Sequence, residues 1–159
     1  EPSDADWPFM LELAHYEYVE LAVAISPADE SRLSLNPNGD LIVGQPVVAP
    51  TVWNLTYTWP VHQIGPDHLP EAPPAEPTHL VVYRDRLDEV HFLEINVVTQ
   101  RLLQLFKEHP EYSGLDVLRT IAGELGHPGP ESILQDGAAL LNELRERNVI
   151  LGTRSVTDQ

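Results

Sequence analysis

Apolar residues recur along this chain with two different periods, and the switches between them divide it into elements. Phe9, Leu13, Tyr16, Val19 and Leu21 fall at mostly helical spacings and predict one helix from Phe9 to about Ile25. Asp6-Trp7-Pro8 ahead of it supplies a capping acid and a first-turn proline, and Ser26-Pro27 ends it. Residues 27–51 are turn-rich, with Asn36-Pro37-Asn38-Gly39-Asp40 the strongest turn and Leu41-Ile42-Val43 a short strand before Gly44. The stretch from Thr51 to Trp59 is β-branched and aromatic and predicts an extended segment. Its alternation places Val52, Asn54, Thr56 and Thr58 on one face and Trp53, Leu55, Tyr57 and Trp59 on the other, an apolar face that needs a covering surface. Residues 60–77 carry six prolines, which neither a helix nor an interior strand tolerates, so this segment is a polyproline-like arm or rigid connector.

Beyond the prolines the period of two returns. Leu80-Val81-Val82-Tyr83 and Val90-His91-Phe92-Leu93 flank Asp85-Arg86-Leu87-Asp88 and predict a hairpin within 78–95. With Asp85 opposite Asp88, Val82 faces His91 and Leu80 faces Leu93, while Tyr83 meets Val90 and Val81 meets Phe92. Three helical patterns follow. Asn96 caps the first, with Val98, Leu102, Leu103 and Phe106 on its apolar stripe. Ser113 and Asp116 form a capping box for the second, which carries Leu115, Leu118, Ile121 and Leu125 and closes at Gly126. Pro130 starts the third, with Ile133, Leu134, Ala138, Leu141 and Leu144 inside and Gly137 weakening the same face. Asn148 ends it, and Val149-Ile150-Leu151 leaves as a strand. A hairpin, three helices and a terminal strand are the order of a winged-helix-like domain. The expected fold class is therefore α+β: residues 1–77 form an N-terminal helix, strands and proline-rich arm, packed on a winged-helix-like domain over 78–159.

The net charge of −16 changes what such a domain is expected to bind. Residues 1–95 hold sixteen acids against Arg32, Arg84 and Arg86, and the first thirty residues hold eight acids with no Lys or Arg. Nucleic-acid affinity comes largely from Lys and Arg displacing counterions, so this surface favours a basic or peptide partner over phosphate. The third C-terminal helix carries Glu131, Asp136, Glu143 and Glu146 against Arg145 and Arg147 at its end, a poor footprint for groove reading. A DNA-binding transcriptional regulator of winged-helix type is the alternative to a peptide-binding module. No apolar window is long enough to span a membrane. The chain has no cysteine, which excludes disulfides and thiolate sites and accords with a cytoplasmic protein. Starting at Glu1, with Met10 its only methionine, it reads as a processed or truncated product that lacks an N-terminal portion.

Catalytic patterns are missing: there is no nucleophile elbow, phosphate loop or HExxH. Of the seven histidines, His62 and His68 in the arm, and His79 with Glu94 or His91 on the hairpin, are the metal candidates, but no HExxH or helical i,i+4 pair is present, and His79 and His91 lie on opposite faces. His15 beside Glu12 is the ordinary hydrogen-bonded case. The expectation is no metal, no cofactor and no catalysis. Peptide recognition uses the same scaffold differently: a guest strand adds to a free hairpin edge, and the cleft toward the third helix takes its side chains. That assigns peptide contacts to Glu89, His91, Leu93, Leu134, Leu141 and Arg145, and partner contacts to Trp53, Tyr57, Trp59 and His62.

Leu11-Glu12-Leu13-Ala14-His15-Tyr16-Glu17-Tyr18, then Trp59-Pro60-Val61-His62, then Leu80-Val81-Val82-Tyr83-Arg84-Asp85 resemble, in order, the second half of HvfC/BufC-like proteins. The tail from the hairpin onward also resembles the PqqD-like peptide-recognition element. The resemblance implies an accessory role: such proteins lack an active site and present ribosomally made, cysteine-containing precursor peptides to multinuclear iron-dependent oxidative enzymes. It also implies a helical N-terminal domain, which this sequence does not include.

Overall fold

Leu80-Val81-Val82-Tyr83 is apolar on both faces, and such a run is stable only where both faces are covered. The computed structural model, which describes residues 8–27, 34–126 and 130–155, covers both. The run lies in strand β4 (Thr78–Arg84), between β3 (Trp53–Tyr57) and β5 (Val90–Ile95) in an antiparallel sheet of order β3-β4-β5. On one face, Leu80 and Val82 lie with Leu55, Phe92, Val90 and Trp53 beneath helix α1 (Met10–Ala24). On the other, Val81 and Tyr83 join the main core, built from α2 (Val97–Glu108), α3 (Gly114–Leu125) and α4 (Pro130–Glu146). A second antiparallel sheet, β1-β6-β2, sits beside them, with β6 (Ile150–Arg154) between two short strands, β1 (Leu35–Asn36) and β2 (Pro46–Val48). Among the described residues the fold is thus mixed α+β, with four α-helices and two small sheets. Both sheets cross the expected boundary at residue 77, since β3 pairs with β4 and β2 with β6.

The hairpin register differs from the expected one by a single residue. Asp85 opposes Glu89 rather than Asp88, its N–H bonding the Glu89 carbonyl at 2.9 Å. Leu80 therefore faces Glu94, Val81 faces Leu93, Val82 faces Phe92 and Tyr83 faces His91. The cause is Asp88, whose φ of 63° puts it in the left-handed region as one extra loop residue after the turn closed by Asp88 N–H to the Asp85 carbonyl. Asp85 supports the loop by accepting the N–H groups of Leu87 and Glu89 on Oδ1.

Other expectations change for long-range reasons. Leu41-Ile42-Val43 is a turn, not a strand, because Asp40 Oδ1 accepts the N–H groups of Ile42 and Val43. The two strands of that region lie on either side of this turn, where β6 recruits them. In α1 the fully buried positions are Val19 and Val23, while Leu21 is 59% exposed. Asp6 and Trp7 lie outside the described residues, and the helix begins after Phe9 without a side-chain cap. At its other end Arg84 Nη1 donates to the carbonyls of Val23, Ala24 and Ser26, at 3.0–3.4 Å, satisfying helix-end acceptors. Glu12 accepts the N–H groups of Thr58 and Trp59 at 2.9 and 2.8 Å, so α1 is tied to the sheet near both ends.

The caps of the C-terminal helices are as expected: Asn96 accepts from Thr99 N–H, Ser113 and Asp116 close a full capping box, and Gly126 is left-handed. Asn148, at φ 66°, ends α4. Gly137 has a packing cause: a Cβ there would lie 2.5 Å from a Leu118 methyl, so α3 and α4 approach closely only because it is glycine. Gly114 is tighter, since a Cβ would collide with the Leu41 carbonyl oxygen. Its N–H and that of Leu115 donate to the carbonyls of Gly44 and Ile42, docking the 40–44 turn on the start of α3. Gly114→Ala is expected to lower stability by about 2 kcal/mol, the cost of overpacking against backbone. Urea unfolding measures it, and an unchanged midpoint contradicts this packing.

Candidate functional site

Strand β5 is the end of its sheet, and among the described residues no strand pairs with its outer edge. Because Asp85 and Glu89 form a hydrogen-bonded pair and antiparallel pairs alternate, His91, Leu93 and Ile95 aim their backbone groups at β4. Val90, Phe92 and Glu94 therefore aim theirs outward. β3 occupies the opposite edge of β4, which settles which hairpin edge is free.

Side chains around that edge come from three elements. Glu89 is exposed on the loop, and His91 and Leu93 are half-buried on the helix-facing side. The His91 ring stacks on Tyr83 with centroids 5.3 Å apart, and its Nε2 lies 2.6 Å from Asp85 Oδ2. The hydrogen bond from His91 and the N–H of Glu89 hold the Asp85 carboxyl below the usual range. Beyond the end of β5, α2, α3 and α4 enclose an apolar groove of about 350 Å³, lined by Val98, Leu102, Leu118, Ile121, Ile133 and Leu140, with Asn96 and Asp136 as polar groups.

The residues assigned to α4 from sequence do not share this groove. Leu134 packs half-buried against the main core, Leu141 is fully buried, and Arg145 donates to the Gly39 carbonyl and to Asn142, each at 2.7 Å. Arg147, about 200° further round the helix, lies against Tyr83 beneath the sheet and bonds Glu143. The helix packs chiefly on α3 and β6. Both of its terminal arginines are engaged within the protein, leaving no cationic stripe along α4.

The four residues assigned to a partner separate into two groups. Tyr57 and Trp59 are buried beneath α1, Trp59 edge-on to Phe9 at 5.9 Å. Tyr57 Oη lies 2.8 Å from His15 Nδ1. Trp53 and His62 are partly buried; Trp53 meets Tyr18 edge-on at 6.5 Å, and His62 Nε2 lies 3.0 Å from Glu94.

For a metal, Asp85, Glu89 and His91 each offer a ligand atom within 4.8 Å of the others, the one such trio among the described residues. The Asp85 oxygens are already committed to the loop amides and to His91. His62 and Glu94 approach only as a pair, and His79 bonds Thr56. The Asp85–His91 contact escaped sequence reasoning because it depends on the extra loop residue. The spacing Asp-x3-Glu-x-His across a hairpin turn was its only trace.

The candidate site is thus a strand edge with which no described strand pairs, bordered by exposed Glu89 and Glu94, with an apolar groove that begins at Asn96. Residues 49–145, more than half of the chain, match the model of the HvfC C-terminal domain, and the chain belongs to that family of accessory proteins. No curated protein matches it. No helix among the described residues is long and apolar enough to cross a membrane.

Burial, followed by the charge of Glu12 and the neighbouring Tyr16, pushes the Tyr57 hydroxyl from 10.0 up to about 12. The folded state therefore favours the neutral phenol. Its contribution to stability is complete below about pH 10 and is lost as pH rises toward about 12. Absorbance titration of tyrosinate is expected to show a late-titrating group near pH 12 that Tyr57→Phe removes. Loss of no late component on substitution contradicts the assignment.

Proposed function

We propose that this protein is a non-catalytic partner in ribosomal peptide modification in the cytoplasm. It binds a precursor peptide and holds it for a multinuclear iron-dependent oxidative enzyme. The observation that carries this is the unpaired outer edge of β5, whose outward backbone groups can accept a guest strand. Main-chain bonds to Val90, Phe92 and Glu94 give affinity without regard to sequence, and side chains give choice. Glu89, His91 and Leu93 contact the guest, while Leu134, Leu141 and Arg145 hold α4 in place behind them. The apolar groove past Asn96 receives a side chain of the guest where it leaves the strand. The net charge of −16 supports a peptide with basic residues and opposes a phosphate backbone. Membership of an accessory family supports the absence of chemistry in this chain.

Glu94 separates backbone from side-chain recognition. Its N–H points outward, so Glu94→Pro removes a donor to the guest while sparing the bonds to β4, a position where an edge strand tolerates proline. Calorimetric titration with the precursor peptide is expected to show Glu94→Pro weakening binding about tenfold, one hydrogen bond's worth. Glu94→Ala is expected to bind like the wild type. Equal affinity for the proline variant removes strand addition at this edge.

A further inference from the structure

Helix α1 has two apolar faces, and the fold uses only one. Phe9, Val19 and Val23 are buried against the sheet, with Leu13 and Tyr16 packed beside them. On the opposite side Leu11, Tyr18, Leu21 and Ile25 are 85%, 60%, 59% and 70% exposed. Their spacings of seven, three and four residues set them in one stripe along the helix. Ala14 continues the stripe, and partly buried Trp53 adjoins it through Tyr18. Single exposed leucines are ordinary on a surface, whereas a helical row of four large apolar side chains on a clamped helix marks an interface.

Charge selects the occupant. The helix carries Glu12, Glu17 and Glu20 and no Lys or Arg. Glu12 is spent on the Thr58 and Trp59 amides, so Glu17 is the exposed acid beside the stripe, and Glu20 is exposed on the flank toward Tyr16. Packing this helix on its own copy would bring these carboxylates together on a chain already at −16. We infer that the outer face of α1 docks in an apolar groove rimmed by Lys and Arg on a partner protein. Building on the function proposed above, that partner is the oxidative enzyme. This surface lies on α1, apart from the β5 edge that takes the peptide, so one domain can hold both at once.

The test uses the full chain and an iron-loaded multinuclear oxidative enzyme, with affinity read by calorimetry at two salt concentrations. Leu11→Gln with Leu21→Gln removes apolar contact without adding charge. It is expected to weaken the complex roughly thirtyfold or more, as for central interface residues. Glu17→Lys with Glu20→Lys is expected to weaken it at low salt and much less at high salt, since a charged rim is screened. Unchanged unfolding midpoints and unchanged binding of the precursor peptide show that the variants are folded and that the β5 edge is intact. A wild-type complex that both double variants form equally well overturns the α1 interface and leaves the peptide function standing. Failure of the wild type to bind the enzyme removes both. Wild-type self-association abolished by Leu11→Gln with Leu21→Gln makes the occupant a second copy and also overturns the inference.

Discussion

The structure depends on the burial of β4 from both sides. Its apolar residues alternate between two separate cores, so the strand is held only while α1 covers one face and the three C-terminal helices the other. With β3 on its first edge and β5 on its second, β4 is paired on both sides from His79 to Val82. The unpaired edge is thereby passed outward to β5, where side chains are half-buried and Glu94 is solvated. Natural sheets usually blunt such an edge with charge or cover. Here Glu89 and Glu94 place charge at the edge, and no described strand pairs with it.

Helix α1 is more than a lid. Arg84 reaches its terminal carbonyls and Glu12 reaches back to the amides at 58 and 59, two charge-assisted ties from opposite ends. A helix free to roll could bury either of its apolar faces. These ties choose the Val19–Val23 face and commit the Leu11–Ile25 face to solvent. The first thirty residues hold no Lys or Arg, so this outer face lies in an acidic setting as well as being apolar.

Much of this was legible in the sequence, and the failures share a cause. Helix ends written in local chemistry appeared where Asn96, Ser113, Gly126 and Asn148 placed them. The aromatic face of Trp53, Leu55 and Tyr57 needed a cover and has one in α1. What local pattern could not supply was anything set at long range. The short strands at 35–36 and 46–48 exist because β6 runs between them, and Asp40 turns Leu41 to Val43 away from a strand that their composition favours. On α4 the inner stripe was correct as burial, since Leu141 and Leu144 are core. It was uninformative about the site, because a helix enclosed on several sides shows one periodicity and several neighbours. Arg147 and Tyr83 come together from far apart in the chain, and no spacing encodes that meeting.

Asp88 carries a consequence of its own. By adding one left-handed residue to the loop it makes Leu93 and His91 look toward the helical layer and Phe92 toward α1. Were Asp88 drawn into the strand opposite Asp85, every later side chain of β5 would change faces without a single substitution. The backbone conformation of one loop residue therefore decides which β5 side chains lie toward each layer, a change that point mutation in the strand would need several steps to match.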